Sequence, residues 1–143
     1  MKTAGERPTL LDTNVLSELL RPDGDPKVGA FVETLGNPLV SAIVFHELSY
    51  GVEMLAAGAN RARLSAGIET FRNRFRERTV FVDIEIADIA GRLRAGQARS
   101  GFELNAPDAL IAATAVTLSA RLATRSTRHF ERMSLELVNP WTL

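Results

Sequence analysis

The order of hydrophobic and polar residues along the chain follows two alternating patterns. Short apolar runs, typical of buried strands, alternate with longer stretches in which apolar residues recur every three or four positions, as on one face of a helix. The predicted strands cover residues 9–11, 38–40, 80–82, 122–123 and 135–138. The predicted helices cover residues 15–20, 28–35, 42–55, 60–78, 85–98 and 107–120, and a brief helical segment covers 127–133. This alternation predicts a small α/β domain with a mostly parallel central sheet.

Two of the predicted helices have distinctive surfaces. The helix over 107–120 is apolar almost all round, so we expect it to be buried. The helix over 60–78 has apolar residues on one side, including Phe71 and Phe75, which we assign to the core. Its other side carries six arginines, for which a solvated surface is the simpler interpretation and contact with a phosphate backbone the alternative.

No repeat, low-complexity tract or linker divides the sequence, so we expect one domain over residues 1–143. Residues 1–7 are polar and are expected to form a flexible N-terminal extension. They lack the apolar segment that a signal peptide needs. No apolar stretch approaches the ~20 residues that a membrane helix requires. These features predict a cytoplasmic protein without membrane contact.

The composition narrows the chemistry. With 17 basic and 17 acidic side chains the net charge is zero, so any contact with nucleic acid would need local basic patches. The chain has no cysteine, which excludes disulfides, zinc–thiolate sites and cysteine nucleophiles. With only two histidines, a bound metal would be held mainly by carboxylate oxygens, which favours Mg²⁺ or Mn²⁺.

Three acidic residues fall at or near junctions between predicted strands and helices. Asp12 follows the first strand, Glu47 lies about two turns into the third helix, and Asp108 is in the first turn of the buried helix. Each has an ordinary explanation alone: a helix cap at Asp12-Thr13-Asn14, a helix-dipole contact for Asp108, and the edge of an apolar face for Glu47.

Taken together, the three acids suggest a common site. Ligands of open α/β sheets bind in the crevice outside the carboxyl ends of the strands. Burial of charged carboxylates there would cost free energy, and the carboxylates would repel one another. A divalent cation would remove both costs, so the three positions predict an acidic, metal-binding pocket.

Three motifs carry a resemblance to a known family. They are Leu-Leu-Asp-Thr-Asn-Val-Leu-Ser-Glu over residues 10–18, Ser-Ala-Ile-Val-Phe-His-Glu-Leu-Ser-Tyr-Gly over 41–51, and Pro-Asp-Ala-Leu-Ile-Ala-Ala-Thr-Ala over 107–115. In this order they resemble the PIN-domain ribonucleases, and more closely the VapC toxins of bacterial type II toxin–antitoxin pairs and their FitB-like branch. The closing Val-Asn-Pro-Trp at 138–141 is similar to the FitB-like branch as well.

The resemblance, which runs from about Thr9 to Trp141, implies a three-layer α/β/α sandwich. It implies that Asp12, Glu47 and Asp108 are the catalytic, metal-binding acids, with Mg²⁺ or Mn²⁺ as the cofactor. The implied activity is endonucleolytic cleavage of RNA by a metal-activated water. The implied partners are the RNA substrate, a second copy of the chain in a homodimer, and a small cognate antitoxin of the VapB or FitA type, with which a hetero-oligomer can form.

Neighbouring polar residues would hold the acids in place. We assign this supporting role to Thr13, Asn14, Thr124 and Ser126. Ser126 stands where FitB-like proteins have Asp and many VapC toxins have Asn, and His129 stands where some other members have Asp. The site therefore has one carboxylate fewer than the family pattern, and the number of metal ions that it would bind, one or two, stays undecided. The hydroxyl of Thr124 or Ser126 could hold a metal-bound water.

Three other functions compete with this interpretation. A catalytically weak binding module would act mainly as the partner or co-repressor of a DNA-binding antitoxin, with the acidic pocket gripping an arginine of that partner. A haloacid-dehalogenase-type phosphatase is disfavoured, because Asn14 stands where that class has its second Asp. A dinucleotide-binding domain is disfavoured because neither glycine-rich phosphate motif is present.

Overall fold

In the part of the chain that the structure describes, the apolar runs form five short strands that pair into one sheet. The computed structural model of the protein describes residues 7–143. The strands are β1 (Thr9–Leu11), β2 (Pro38–Ser41), β3 (Thr79–Val80), β4 (Arg121–Ala123) and β5 (Leu137–Val138). Their order across the sheet is β3-β2-β1-β4-β5, and every neighbouring pair is parallel. The predicted parallel α/β fold is confirmed.

Within residues 7–143, the helical stretches form seven α-helices. They are α1 (Thr13–Leu20), α2 (Pro26–Glu33), α3 (Ala42–Glu53), α4 (Ala59–Arg74), α5 (Ile84–Arg99), α6 (Ala106–Leu118) and α7 (Thr127–Phe130). Short 3-10 turns cover Arg76–Arg78 and Pro140–Thr142. Side chains cap several helix starts by accepting a backbone N–H, as Ser41 does for Ile43 at 3.3 Å and Asp83 for Ile86 at 2.9 Å.

The crossovers place the helices in two layers. The connections from β1 to β2 and from β2 to β3 step in one direction, whereas the connection from β3 to β4 crosses back past two strands. Because parallel crossovers are right-handed, α1 to α4 cover one face of the sheet and α5 and α6 cover the other. In agreement, α1, α3 and α4 pack against one another, and α5 packs along α6. The result is a three-layer α/β/α sandwich.

The central strand is the most enclosed part of the core. Leu10 and Leu11 of β1 are fully buried, as are Val40 of β2 and Leu122 of β4. Strands covered by helices on both faces need such continuous apolar runs. The predicted burial of α6 is confirmed for its middle turns, between Ala109 and Ala115, whereas Ala106 at its start and Val116 near its end are exposed.

Several predicted elements extend beyond the observed ones, among them the third and fifth strands and the helices that end at Glu53, Arg74 and Phe130. The third strand ends at Val80, and Phe81 lies outside it with 76% of its surface exposed. β3 is an edge strand, and its partner β2 gives way to α3 after Ser41, so Phe81 has no neighbouring strand to pair with. Helix α4 ends at Arg74 instead of residue 78, because Phe75 turns into the core and a 3-10 turn follows.

The arginine-bearing side of α4 faces solvent. Phe71 and Phe75 lie on the opposite side, where both are buried and their rings meet edge to face at 6.1 Å. Several of the arginines are satisfied locally by acidic neighbours, in the pairs Arg61–Glu53, Arg72–Glu69 and Arg74–Glu33. These contacts favour the solvated-surface interpretation of this face.

The end of the chain packs against the first helix. The indole nitrogen of Trp141 donates to Glu18 Oε2 at 3.0 Å, and the backbone N–H of Asp25 donates to the same oxygen at 3.2 Å. The guanidinium of Arg125 lies 5.2 Å over the indole ring. Trp141 therefore joins the C-terminal end of α1 to the segment that follows β4.

The described part of the chain begins at Arg7, whose guanidinium group makes two contacts. Its Nε donates to the backbone oxygen of Ser119 at 3.0 Å, and Nη1 lies 2.6 Å from Glu136 Oε2. The rest of the predicted N-terminal extension, residues 1–6, lies outside the described residues. Within residues 7–143, no helix has the length and apolar character needed to cross a bilayer.

Candidate active site

The predicted pocket residues gather where the strand order reverses. β1 lies between β2 and β4, and Leu11 pairs with Ala123 at the ends of their strands. Asp12 and Thr124 therefore leave two adjacent strands at the same edge, and the N–H of Asp12 donates to Ala123 O at 3.0 Å. Such a switch point is where open α/β sheets bind ligands.

Asp12 is a buried carboxylate held by neutral donors. Only 5% of its surface is exposed. Its Oδ1 accepts the backbone N–H of Thr13 at 2.7 Å, as the cap of α1, and its Oδ2 accepts the hydroxyl of Thr124 at 2.7 Å. Within residues 7–143, no lysine, arginine or histidine forms an ion pair with it. Asp12 is therefore both the predicted cap of α1 and a buried carboxylate.

The surroundings of Asp12 disfavour its charged form. The pKa of the Asp12 carboxyl is raised from 3.8 to about 6, mainly by burial. The hydrogen bonds from Thr124 and Thr13 lower the pKa, and the negative charges of Asp108 and Glu47 raise it. All three predicted acids thus lie near enough to interact electrostatically.

Glu47 reaches the pocket from α3. Ser41 ends β2 and caps this helix, so the second helical turn places Glu47 above the same sheet edge. The hydroxyl of Thr13 donates to Glu47 Oε1 at 2.6 Å. Thr13 thereby joins two of the acids, because its backbone N–H binds Asp12 and its side chain binds Glu47.

Asp108 is positioned by the start of α6 and by α7. Asn105 caps α6 by accepting the N–H of Asp108 at 2.8 Å. The Oδ2 atom of Asp108 lies 3.3 Å from Asn105 Nδ2 and 3.1 Å from His129 Nδ1. Its side chain is 16% exposed, so this carboxylate lies at the mouth of the pocket.

The remaining predicted polar residues tie the segment after β4 to the start of α1. Asn14 Nδ2 donates to Ser126 Oγ at 3.1 Å and approaches Thr124 Oγ1 at 3.4 Å, and Asn14 Oδ1 accepts the N–H of Arg125 at 3.3 Å. The N–H of Ser126 donates to Thr124 Oγ1 at 2.9 Å. The Thr124 hydroxyl is fully used by these bonds and by Asp12, so only the Ser126 hydroxyl retains a hydrogen to give.

The donor set fits a hard divalent cation. The three acids supply only oxygen, and the buried Asp12 lacks a cationic partner among the described residues. Over residues 7–143, however, no three acidic or histidine side chains stand close enough to hold one ion together. Sharing one ion would therefore require rotation of the more accessible side chains of Glu47 and Asp108.

Sequence reasoning missed two contacts of the pocket. Asn105 was not singled out, although an Asn three residues before an Asp at a helix start is a recognisable cap signal. The contact of His129 with Asp108 joins residues 21 positions apart and depends on how α7 docks, which no local pattern reveals. His129 was noted only as the residue that replaces an Asp of other family members.

Known proteins resemble this chain over nearly its whole length. The sequence profile of the PIN domain matches residues 9–135. The chain is 36% identical to the Toxin FitB of Neisseria gonorrhoeae over 135 residues, which covers 92% of this chain and 97% of that protein. It is 32% identical over 142 residues to the VapC ribonuclease Y4jK of Sinorhizobium fredii, which covers 92% and 96%.

A solved structure matches as well. The crystal structure of FitAcB from Neisseria gonorrhoeae superposes with a TM-score of 0.85 at 36% identity, over 94% of this chain and 99% of that one. The sheet order, the acidic pocket at the strand ends and these similarities agree. The chain belongs to the PIN-domain family and, within it, to the toxins of the FitB and VapC type.

Proposed function

We propose that this protein is a metal-dependent endoribonuclease, the toxin of a VapBC-type pair, and that its active site is formed by Asp12, Glu47 and Asp108. The observation that carries the proposal is Asp12 itself. It is a buried carboxylate without a cationic partner among the described residues, and two further carboxylates act on its charge. The electrostatic free energy of these carboxylates is unfavourable until a cation binds. A carboxylate that only caps a helix would not need two further acids beside it.

Asp12, Glu47 and Asp108 would hold Mg²⁺ or Mn²⁺. When bound, the ion supplies positive charge to the scissile phosphate and lowers the pKa of a water molecule. Asp12 is fixed by Thr13 and Thr124, so it provides a ligand whose position costs little to organise. Glu47 keeps Oε2 free of the Thr13 bond, and this oxygen would orient the attacking water or help to hold the ion.

Two exposed arginines on the segment that follows β4 suit a phosphate backbone. Arg125 and Arg128 are exposed on the segment that follows β4, and the backbone of Arg125 is tied to Asn14 at the pocket. Arginines in this place offer bidentate contacts to phosphate oxygens. They supply local positive charge in a protein whose net charge is zero.

The test is cleavage of a fluorescently labelled RNA by the purified, antitoxin-free protein with Mg²⁺ or Mn²⁺. Asp12→Asn and Asp108→Asn should each lower kcat by about 10²-fold or more, because each removes a charged ligand. Asp88→Asn is the matched control, since Asp88 is exposed on α5. Undiminished activity in Asp12→Asn and Asp108→Asn would sink the proposal.

A small antitoxin is the proposed protein partner. A groove of about 200 Å³ between α1, α3 and α4 is lined by apolar residues such as Leu48, Val52 and Ile68, and it also includes Thr13 and Glu47 of the pocket. An amphipathic helix suits such a groove. A basic residue of that helix could then pair with the acids.

The same partner defines the competing function, a binding module with little catalysis. Ser126 in place of a fourth acid is the feature that favours it. Calorimetric titration with Mn²⁺ separates the two functions. A nuclease should bind the ion, whereas retained antitoxin binding without metal binding would favour the module.

A further inference from the structure

We propose that His129 is a positioning residue for Asp108, and that it sets the metal affinity of the pocket by donating a hydrogen bond to one oxygen of that carboxylate. This inference rests on the proposed function, since it concerns the same pocket. Its starting point is the 3.1 Å contact between His129 Nδ1 and Asp108 Oδ2. An ionised carboxylate only accepts hydrogen bonds, so the contact requires a hydrogen on Nδ1.

The backbone around His129 fixes the direction of its ring. Phe130, the next residue, is fully buried and anchors α7 in the core. The N–H of His129 donates to Ser126 O at 3.1 Å, and the N–H of Glu131 donates to Thr127 O at 2.9 Å. The turn is therefore held at both ends, although the His129 side chain itself is 54% exposed.

The contact makes the two oxygens of Asp108 unequal. Oδ2 receives hydrogen bonds from both Asn105 and His129, whereas Oδ1 receives none from the described residues. Donors on one oxygen orient the carboxylate and leave the other oxygen to face a ligand. Glu47 is supported in the same way, by the Thr13 hydroxyl at Oε1, whereas Asp12 accepts a hydrogen bond at each oxygen, from Thr13 and Thr124. His129 thus extends to Asp108 the kind of support that the other two acids have.

A donor at this position also suits a pocket with three acids. An additional carboxylate beside Asp108 would add repulsion to the existing charges of Asp12 and Glu47. A hydrogen-bond donor adds no negative charge and orients the Asp108 carboxylate instead. His129 therefore replaces the contribution of a fourth acid with orientation of the third.

Two substitutions separate the donated hydrogen bond from the rest of the imidazole. In His129→Asn the side-chain amide nitrogen is attached to Cγ, as Nδ1 is in histidine, so the amide can donate to Asp108. In His129→Gln the amide lies one atom farther out, near the place of Nε2, and His129→Ala has no donor. All three replace a half-exposed side chain, so the fold should persist.

The measurement is Mn²⁺ affinity by calorimetry, made on the full protein without antitoxin or RNA. We expect His129→Ala and His129→Gln to weaken binding by about 10-fold, the lower part of the range for lost supporting hydrogen bonds, and His129→Asn to stay within about 3-fold of the parent. Thermal melting without metal serves as the fold control. Glu131→Gln, at an exposed position just after α7, is the matched surface variant and should leave affinity unchanged.

The outcomes are distinct. An equal loss of Mn²⁺ affinity in His129→Asn and His129→Ala would overturn the proposal. The imidazole would then act as a metal ligand or through its packing, not through the hydrogen bond to Asp108. Unchanged affinity in all three variants would overturn it as well. If the parent protein binds no Mn²⁺ and cleaves no RNA, the proposed function fails first, and this result is recognisable before any His129 variant is made.

Discussion

The hydroxyl of Thr124 donates to Asp12 Oδ2 at 2.7 Å across two adjacent strands, and Thr124 is itself fully buried. The same oxygen of Thr124 accepts the N–H of Ser126 at 2.9 Å. One hydroxyl therefore joins the end of β1 to the segment after β4. Its removal would leave a buried carboxylate oxygen and a backbone N–H without their partner.

Thr124→Val tests the connection that the Thr124 hydroxyl makes between the end of β1 and the segment after β4. Valine keeps the shape but cannot donate or accept, so we expect the free energy of unfolding to fall by about 1–3 kcal/mol. Urea denaturation in the absence of metal measures the change. Thr117→Val is the control, because the Thr117 hydroxyl is buried and has no hydrogen-bond partner within the described chain, and its loss should cost nothing. Equal destabilisation in both variants would contradict the assignment.

Asp12 makes the stability of the metal-free protein depend on pH. Its pKa is about 6 in the folded protein against 3.8 as the ordinary value, so the folded state binds the proton more tightly. The stabilisation from this group is complete below about pH 4 and is lost as the pH rises through 6. Asp12→Asn should therefore be more stable than the parent at pH 8 by about 2–3 kcal/mol, at ~1.36 kcal/mol per pKa unit.

The measurement is a series of denaturation curves with a chelator between pH 4 and pH 8. The advantage of Asp12→Asn should disappear at the acidic end, where the parent carboxyl is protonated in both states. Added Mn²⁺ should stabilise the parent at pH 8, since ligand binding to the folded state raises its stability. A constant difference at every pH would show that Asp12 is not the titrating group.

Thr13 should influence catalysis through Glu47. Thr13→Val removes the hydroxyl that donates to Glu47 Oε1, while the backbone N–H still binds Asp12. We expect kcat for RNA cleavage to fall by about 10-fold. Thr13→Ser retains the hydroxyl and should recover most of the rate, and a failure of serine to do so would point to packing of the methyl group instead.

Arg125 should contribute to substrate binding. Arg125→Ala should raise the KM for RNA several-fold with little change in kcat, because a lost phosphate contact weakens binding without altering the pocket. The dependence of binding on salt should also fall, by about one unit in the log–log slope. Arg99→Ala, at the exposed end of α5, is the control. Equal effects in both variants would indicate only a change in overall charge.

The sequence predicts those parts of the fold and pocket that local patterns determine. β1 and the capping residues Asp12 and Ser41 are recognisable because strand, cap and helix follow one another in the chain. The end of β3 is not recognisable, since it is set by the length of its neighbour β2. A strand ends where its partner ends, and no pattern within residues 80–82 contains that information.

The acids of the pocket were predicted as a set, but their supports were only partly predicted. Thr13, Asn14, Thr124 and Ser126 are adjacent in sequence to strand ends, and hydrogen bonds join each of them to the pocket network. His129 depends on the packing of Phe130 and on the position of α6, so its contact follows only from the complete fold. The metal-binding role of the three acids remains a prediction for the experiments above.

The position of β1 in the middle of the sheet has a consequence during synthesis. Asp12 is made before its neighbours Ala123 and Thr124, and Thr124 follows it only after 112 residues. An unfinished chain that ends before β4 exposes one edge of β1 and has no Thr124 to orient Asp12. The pocket around Asp12 therefore assembles only after β4 has been made, so its geometry is a property of the completed sheet.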